Sequence, residues 1–161
     1  IDSGGPALTQ SLAIIDYLEE TRPNPPLLPS SPRARARVRA LAQVIACDAH
    51  PLIVPRVRNY LADELKADEP ARLNWIRHWN TAALAAIETQ LAARKDPCCF
   101  GDAPTLADIC LVSHVVGMRL FQFDLAAFPL ATRITDECLK LGAFARAHPL
   151  RQPGAPAAAA H

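Results

Sequence analysis

Gly101-Asp102-Ala103-Pro104-Thr105-Leu106-Ala107-Asp108-Ile109-Cys110-Leu111-Val112 is the stretch whose reading decides the fold of this 161-residue chain. Thr105 followed three residues later by Asp108 is a capping-box spacing. The threonine hydroxyl can accept from the Asp108 N–H while the carboxylate reaches back to the Thr105 N–H. Pro104 before the cap and Ile109 after it are placed to form a hydrophobic staple. From Ile109 to Phe121 the chain is apolar nearly all round, broken by Ser113, His114, Gly117 and Arg119. A helix that is apolar on every face belongs inside an assembly of helices. A buried central helix is therefore expected here.

Outward from that helix, proline sets the punctuation. Leu12-Ala13-Ile14-Ile15-Asp16-Tyr17-Leu18-Glu19-Glu20 has helical apolar spacing, opening near Thr9 or Gln10 and stopping near Arg22. Pro23, Pro25, Pro26 and Pro29 forbid continuation, so residues 22–31 read as a stiff connector. Ser31-Pro32 restarts a helix as cap and first-turn residue. Arg33, Arg35, Arg37 and Arg39 spread over a wide arc of it and read as a solvated face. Pro51 and Pro55 predict a kink near His50 or a break between two helices. Asp68-Glu69-Pro70 opens the next helix, whose apolar face runs from Trp75 through about Ala93. After the capped helix, residues 123–129 read as an apolar loop and Leu130 to Leu141 as a helix. Gly142 marks a break before a short run to His148, and the tail from Pro149 to His161 reads as irregular. No β-pattern of any length is present. The fold class is mostly α.

Composition excludes several function classes. A formal charge of +1 gives no general attraction to nucleic acid or to a membrane surface. No apolar run reaches the roughly 18 residues of a membrane span. Five cysteines form an odd set without framework spacing. Cys47 and Cys110 lie in apolar helical patterns, where a free thiol acts as a small hydrophobe, and adjacent Cys98 and Cys99 read as free thiols on a loop. A reducing, cytoplasmic compartment is expected. Histidines and cysteines show no metal-ligand spacing, so no metal is expected.

Four positions stand out as candidates. His114, on the central helix, reads as a hydrogen-bonded core histidine. His50, at the proline kink, reads equally as structural or as lining a cleft. Arg119 complements a helix C-terminus or meets an acidic ligand; composition leaves both open. Gln10-Ser11 places a hydroxyl in a first turn beside free backbone N–H groups, a ready carboxylate site.

Leu8-Thr9-Gln10-Ser11-Leu12-Ala13-Ile14-Ile15-Asp16-Tyr17-Leu18-Glu19-Glu20-Thr21-Arg22-Pro23 resembles the glutathione-binding segment of zeta-class glutathione transferases, the maleylacetoacetate isomerases. The likeness continues in Leu27-Leu28-Pro29, in Ile45 to Leu52, and in Gly101 to Val112. It runs on through Phe123-Asp124-Leu125 and His148-Pro149-Leu150-Arg151-Gln152-Pro153. The resemblance implies a glutathione-transferase C-terminal helical bundle over 33–161, a linker over 23–32, and over 1–22 the last part of a thioredoxin-like domain. The chain opens Ile1-Asp2-Ser3 without methionine, so the family's thiolate-supporting serine and cysteine motif is expected upstream of residue 1.

By the same resemblance, Gln10, Ser11 and His50 bind glutathione and Arg119 binds substrate. Thr105 and Asp108 are a structural cap. Ile53, Val54 and Pro55 stand where the family usually carries asparagines, and Leu120 replaces the second of an arginine pair. The implied activity is cis–trans isomerisation or transfer with glutathione as cosubstrate, on a small acidic or electrophilic substrate such as maleylacetoacetate or maleylpyruvate. A homodimer is implied, with no nucleic-acid or membrane partner. The alternative is a non-catalytic helical module for binding or assembly.

Overall fold

The computed structural model describes residues 4–155. Helix α1 spans Ser11–Thr21, α2 Pro32–Gln43, α3 His50–Ile53, α4 Pro55–Asp63 and α5 Glu69–Leu91. They are followed by α6 (Leu106–Leu120), α7 (Pro129–Leu139) and α8 (Gly142–Ala147). Among the described residues no strand forms; Cys98 and Gly101 make one isolated bridge before α6. The caps expected at Ser31 and Asp68 are made, Ser31 Oγ accepting from the Ala34 N–H at 3.2 Å and Asp68 Oδ1 from the Ala71 N–H at 2.9 Å. Helix α5 stops at Leu91, two residues short of the expected Ala93. Residues Pro149–Arg151, expected to be irregular, form one 3₁₀ turn, and the end of the tail, 156–161, lies outside the described residues.

The capped helix lies at the centre, as its composition requires. Leu106, Ala107, Leu111, Val112, Val115, Val116 and Met118 of α6 are buried, and the helix packs against α7 and α2. Its capping box is present. Asp108 Oδ2 accepts from the Thr105 N–H and hydroxyl, each at 2.8 Å. At its far end α6 closes in a Schellman turn. The Phe123 N–H bonds the Met118 carbonyl and the Gln122 N–H the Arg119 carbonyl, both at 3.0 Å, with Gln122 in the left-handed region at φ 55°.

Two other carboxylates fasten elements that the helix periods leave loose. Glu19 of α1 is buried and accepts from the N–H groups of Leu27 and Leu28 at 2.7 and 3.2 Å. The Leu106 N–H then bonds the Leu27 carbonyl at 3.0 Å. The proline-rich segment is thus pinned at once to α1 and to the start of α6, rather than spanning between them as a spacer. Glu88 of α5 takes the first-turn N–H groups of α7, from Leu130 at 3.2 Å and Ala131 at 2.7 Å, where no local cap exists. Charge-assisted bonds of this kind contribute about 1.5–3 kcal/mol. Glu19→Ala is accordingly expected to lower the unfolding free energy by about 1.5–3 kcal/mol in urea titration; an unchanged midpoint would show that the connector is held by packing alone.

Both alternatives foreseen at the two prolines occur together. After α2 the helix widens into a π turn over Val44–Ala49, where the His50 N–H reaches back to Ile45. Pro51 has no N–H to complete the normal ladder, and the extra residue in the turn accommodates it. The chain then breaks at Val54 (φ −67°, ψ 158°) before α4. In a continuous helix the Leu52 carbonyl would pair with the Arg56 N–H; here it accepts from the Trp75 indole of α5 at 2.8 Å. One expectation fails at this bend. Cys47 is exposed rather than packed, because a π turn shifts the phase of the residues it contains.

Candidate functional site

Helix α1 begins in an unusual way. Gln10 precedes it at φ 69° and ψ 116°, a backbone conformation that costs a non-glycine residue energy. Its side chain makes no capping bond. The first intrahelical bond is Ile14 N–H to the Gln10 carbonyl at 3.0 Å, so the N–H groups of the first turn remain open. Gln10 and Ser11 are both exposed beside them. The helix dipole adds positive potential at the same point. This is a site suited to a carboxylate, with hydroxyl, amide and backbone donors converging.

The bend supplies the next group. His50 begins α3 directly after the widened turn and is exposed. It lies close enough to His114 of α6 for its charge to oppose protonation there. His114 is 4% exposed, and its Nε2 is buried without a hydrogen-bond partner. The expectation of a hydrogen-bonded core histidine is therefore corrected: His114 is core, but unsatisfied at that nitrogen. Burial, assisted by His50, drives its pKa from 6.5 to about 4, so the imidazole is neutral. Ile53, Val54 and Pro55, which depart from the asparagine pattern, form the α3–α4 junction.

At the far end of α6, Arg119 pairs through Nη1 with Asp136 of α7 at 2.8 Å. It is a strut between two helices, and its guanidinium is one-third exposed. Leu120 and Phe121 beside it are exposed. The structure gives no direct contact among Gln10, Ser11, His50 and Arg119. Sequence reading missed Arg58 and Arg77, which share a pocket with Phe121. Two cations interrupting apolar helical faces were the available signal.

Cys98, Asp108 and Cys138 gather within 4.8 Å in the core. Burial and the Asp108 charge push the Cys98 and Cys138 thiols up, so both stay protonated. Asp108 Oδ1 already accepts from the Cys99 N–H at 2.7 Å and from Cys138 Sγ at 3.9 Å. With its other oxygen held by Thr105, the carboxylate has no free lone-pair direction for an ion. The cluster is a fastening of loop, α6 and α7. No helix among the described residues is long and apolar enough to cross a membrane.

No family model matches the chain. It is 44% identical over 155 residues to a maleylpyruvate isomerase of Ralstonia sp., covering 95% of this chain and 73% of that protein. Among solved structures it resembles the maleylacetoacetate isomerase of Methylobacterium extorquens AM1 with bound malonate and glutathione. That match has a TM-score of 0.93 and 53% identity over 98% of this chain and 74% of the other. It also resembles the holo structure of maleylpyruvate isomerase, a bacterial zeta-class glutathione transferase, with a TM-score of 0.92 and 43% identity over 97% and 74% of the two chains.

Proposed function

The chain belongs to the maleylacetoacetate and maleylpyruvate isomerase family, the zeta class of glutathione transferases, and from that premise we propose that it serves a glutathione-dependent cis–trans isomerase acting on a small dicarboxylate alkene. The observation that carries the reading is the start of α1, where a strained Gln10 and an exposed Ser11 leave first-turn donors open. Such a site takes the glutamyl carboxylate of glutathione through Ser11 Oγ, the Gln10 amide and the free N–H groups. The Methylobacterium protein holds both malonate and glutathione, which supports a dicarboxylate as second ligand. It also favours an enzyme over a purely structural module.

Bound glutathione supplies a thiolate that adds to the conjugated alkene, allows rotation about the new single bond, and leaves to give the trans product. The residues of this chain bind and orient. Gln10 and Ser11 anchor one end of the tripeptide, and His50 at the bend stands beside it, followed by apolar Val54 and Pro55 in place of polar groups. Arg119 meets a substrate carboxylate through the guanidinium nitrogens that its Asp136 pair leaves available. The groups that hold the thiolate belong, in this reading, to a thioredoxin-like domain of which residues 1–22 are the last part, joined by 23–32 to the helical bundle. A homodimer in a reducing compartment completes the proposal, and the free cysteines suit that compartment.

The test is turnover of maleylpyruvate and maleylacetoacetate with and without glutathione. Isomerisation of at least one, strictly dependent on glutathione, is expected; no turnover of either removes the reading. Ser11→Ala deletes one hydrogen bond to a charged group and is expected to raise the glutathione KM roughly 10–100-fold. Its melting temperature should stay at the parent value, since Ser11 is exposed. An unchanged KM would take Ser11 out of the site.

A further inference from the structure

A pocket of about 520 Å³ opens where α4, the first half of α5 and the end of α6 converge. Its lining includes none of Gln10, Ser11 or His50, and it takes Ile53 from the end of α3. Its walls are Ile76 and Leu73 of α5, Met118 and Phe121 at the end of α6, and Phe123 and Phe128 of the following loop. Two cations line it as well, Arg58, which is half-buried, and Arg77, which is exposed. Neither has an ion-pair partner among the described residues. Arg58 Nε is buried without a hydrogen-bond partner, and its guanidinium sits 5.5 Å from the centre of the Phe121 ring. One acidic residue, Asp124, shares the lining, but its Oδ1 is occupied by the Ala126 N–H at 2.9 Å.

A buried, unbonded guanidinium nitrogen costs free energy that a fork-shaped acceptor restores. The apolar side chains of α5, the end of α6 and the following loop favour a ligand that carries a ring over a bare ion such as free phosphate. We propose that this pocket binds a small aromatic carboxylate, separate from glutathione, whose carboxylate bridges Arg58 and Arg77 and whose ring lies against Phe121 and Met118. The Schellman turn at Gln122 fixes Phe121 and Phe123 as two sides of the ring slot.

Isothermal titration of the intact protein with 2-naphthoate tests this, with the neutral 2-naphthamide as its isostere. The naphthoate is expected to bind with one site per chain, and the amide about tenfold or more weaker. Arg58→Leu and Arg77→Leu are each expected to weaken naphthoate about tenfold. Phe121→Ala, at an exposed position that the fold does not need, is expected to weaken it severalfold. Glutathione at saturation should leave the affinity unchanged. Equal binding of acid and amide, full affinity in both arginine variants, displacement by glutathione, or no binding at millimolar naphthoate would each overturn the proposal. Arg58→Lys, which keeps the charge but loses the fork, should fall between the parent and Arg58→Leu. It covers the case in which the leucine variant does not fold.

Discussion

Asp108→Ala is expected to lower the unfolding free energy by about 3–5 kcal/mol, more than a lost helix cap explains. An N-cap alone contributes about 0.5–2 kcal/mol. Asp108, however, is fully buried and serves three elements at once. Its Oδ2 holds the Thr105 N–H and hydroxyl, and its Oδ1 holds the Cys99 N–H in the loop before α6 and Cys138 Sγ of α7. Alanine leaves two backbone N–H groups without acceptors in a dry interior, each costing about 1–3 kcal/mol, and opens a void between loop and helix. Asp108→Asn keeps the volume but turns an NH₂ toward one of the two N–H donors, so about 1–3 kcal/mol is expected for it. Urea titration of the three proteins gives the order. A loss below about 1 kcal/mol in the alanine variant would show that the interior relaxes around the missing carboxylate.

That the cap was legible and the rest of the Asp108 network was not has a physical reason. Thr105 and Asp108 are three residues apart, and a bond at that range is set by helix geometry alone. The partners Cys99 and Cys138 meet the same carboxylate only after the loop folds back and α7 docks. Glu88 illustrates the same limit: its acceptor role lies at the start of α7, and no local pattern announces it. Glu19 read as one more acid at the end of an amphipathic helix, yet it is buried against Leu27 and Leu28. The prolines were better guides, because their effect on the chain is local. They marked the start of α2, the bend at His50 and the break at Val54. Cys47 was misplaced for a reason that follows from the same bend. Helical spacing assigns faces at a constant angle per residue, and a π turn breaks that constancy.

The candidate site divides in the same way. The Gln10–Ser11 turn is a local object, so residue types and spacing sufficed to propose it, and family resemblance gave it a ligand. Arg119 was read as complementing a helix C-terminus or meeting an acidic ligand, and α7 brings Asp136 to it. Arg58 and Phe121 lie on elements that only the tertiary fold brings together. The wall of Ile53, Val54 and Pro55, visible in sequence as a loss of polarity, gains meaning from the break that it creates between α3 and α4.

The second large effect expected is an acid-sensitive component of stability from His114. Burial holds its folded pKa at about 4, below the ordinary 6.5, with His50 adding to the same direction. The unfolded chain therefore takes up the proton first as pH falls. Stability from the neutral imidazole is fully present above pH 6.5 and is lost as pH drops toward 4. Integrated over that window, the loss is about 3 kcal/mol. His114→Leu removes the titrating group and the partnerless Nε2 together. At pH 7 the variant is expected to lie within about 1 kcal/mol of the parent, because leucine fills a site that already excludes water. At pH 4 it is expected to be the more stable protein by about 3 kcal/mol. The carboxylates titrate in both proteins and cancel in the difference. Urea titrations at pH 7, 6, 5 and 4 measure it directly. Parallel curves for parent and variant would show that His114 finds water or a partner on protonation, and that the packing between the π turn and α6 opens to admit it.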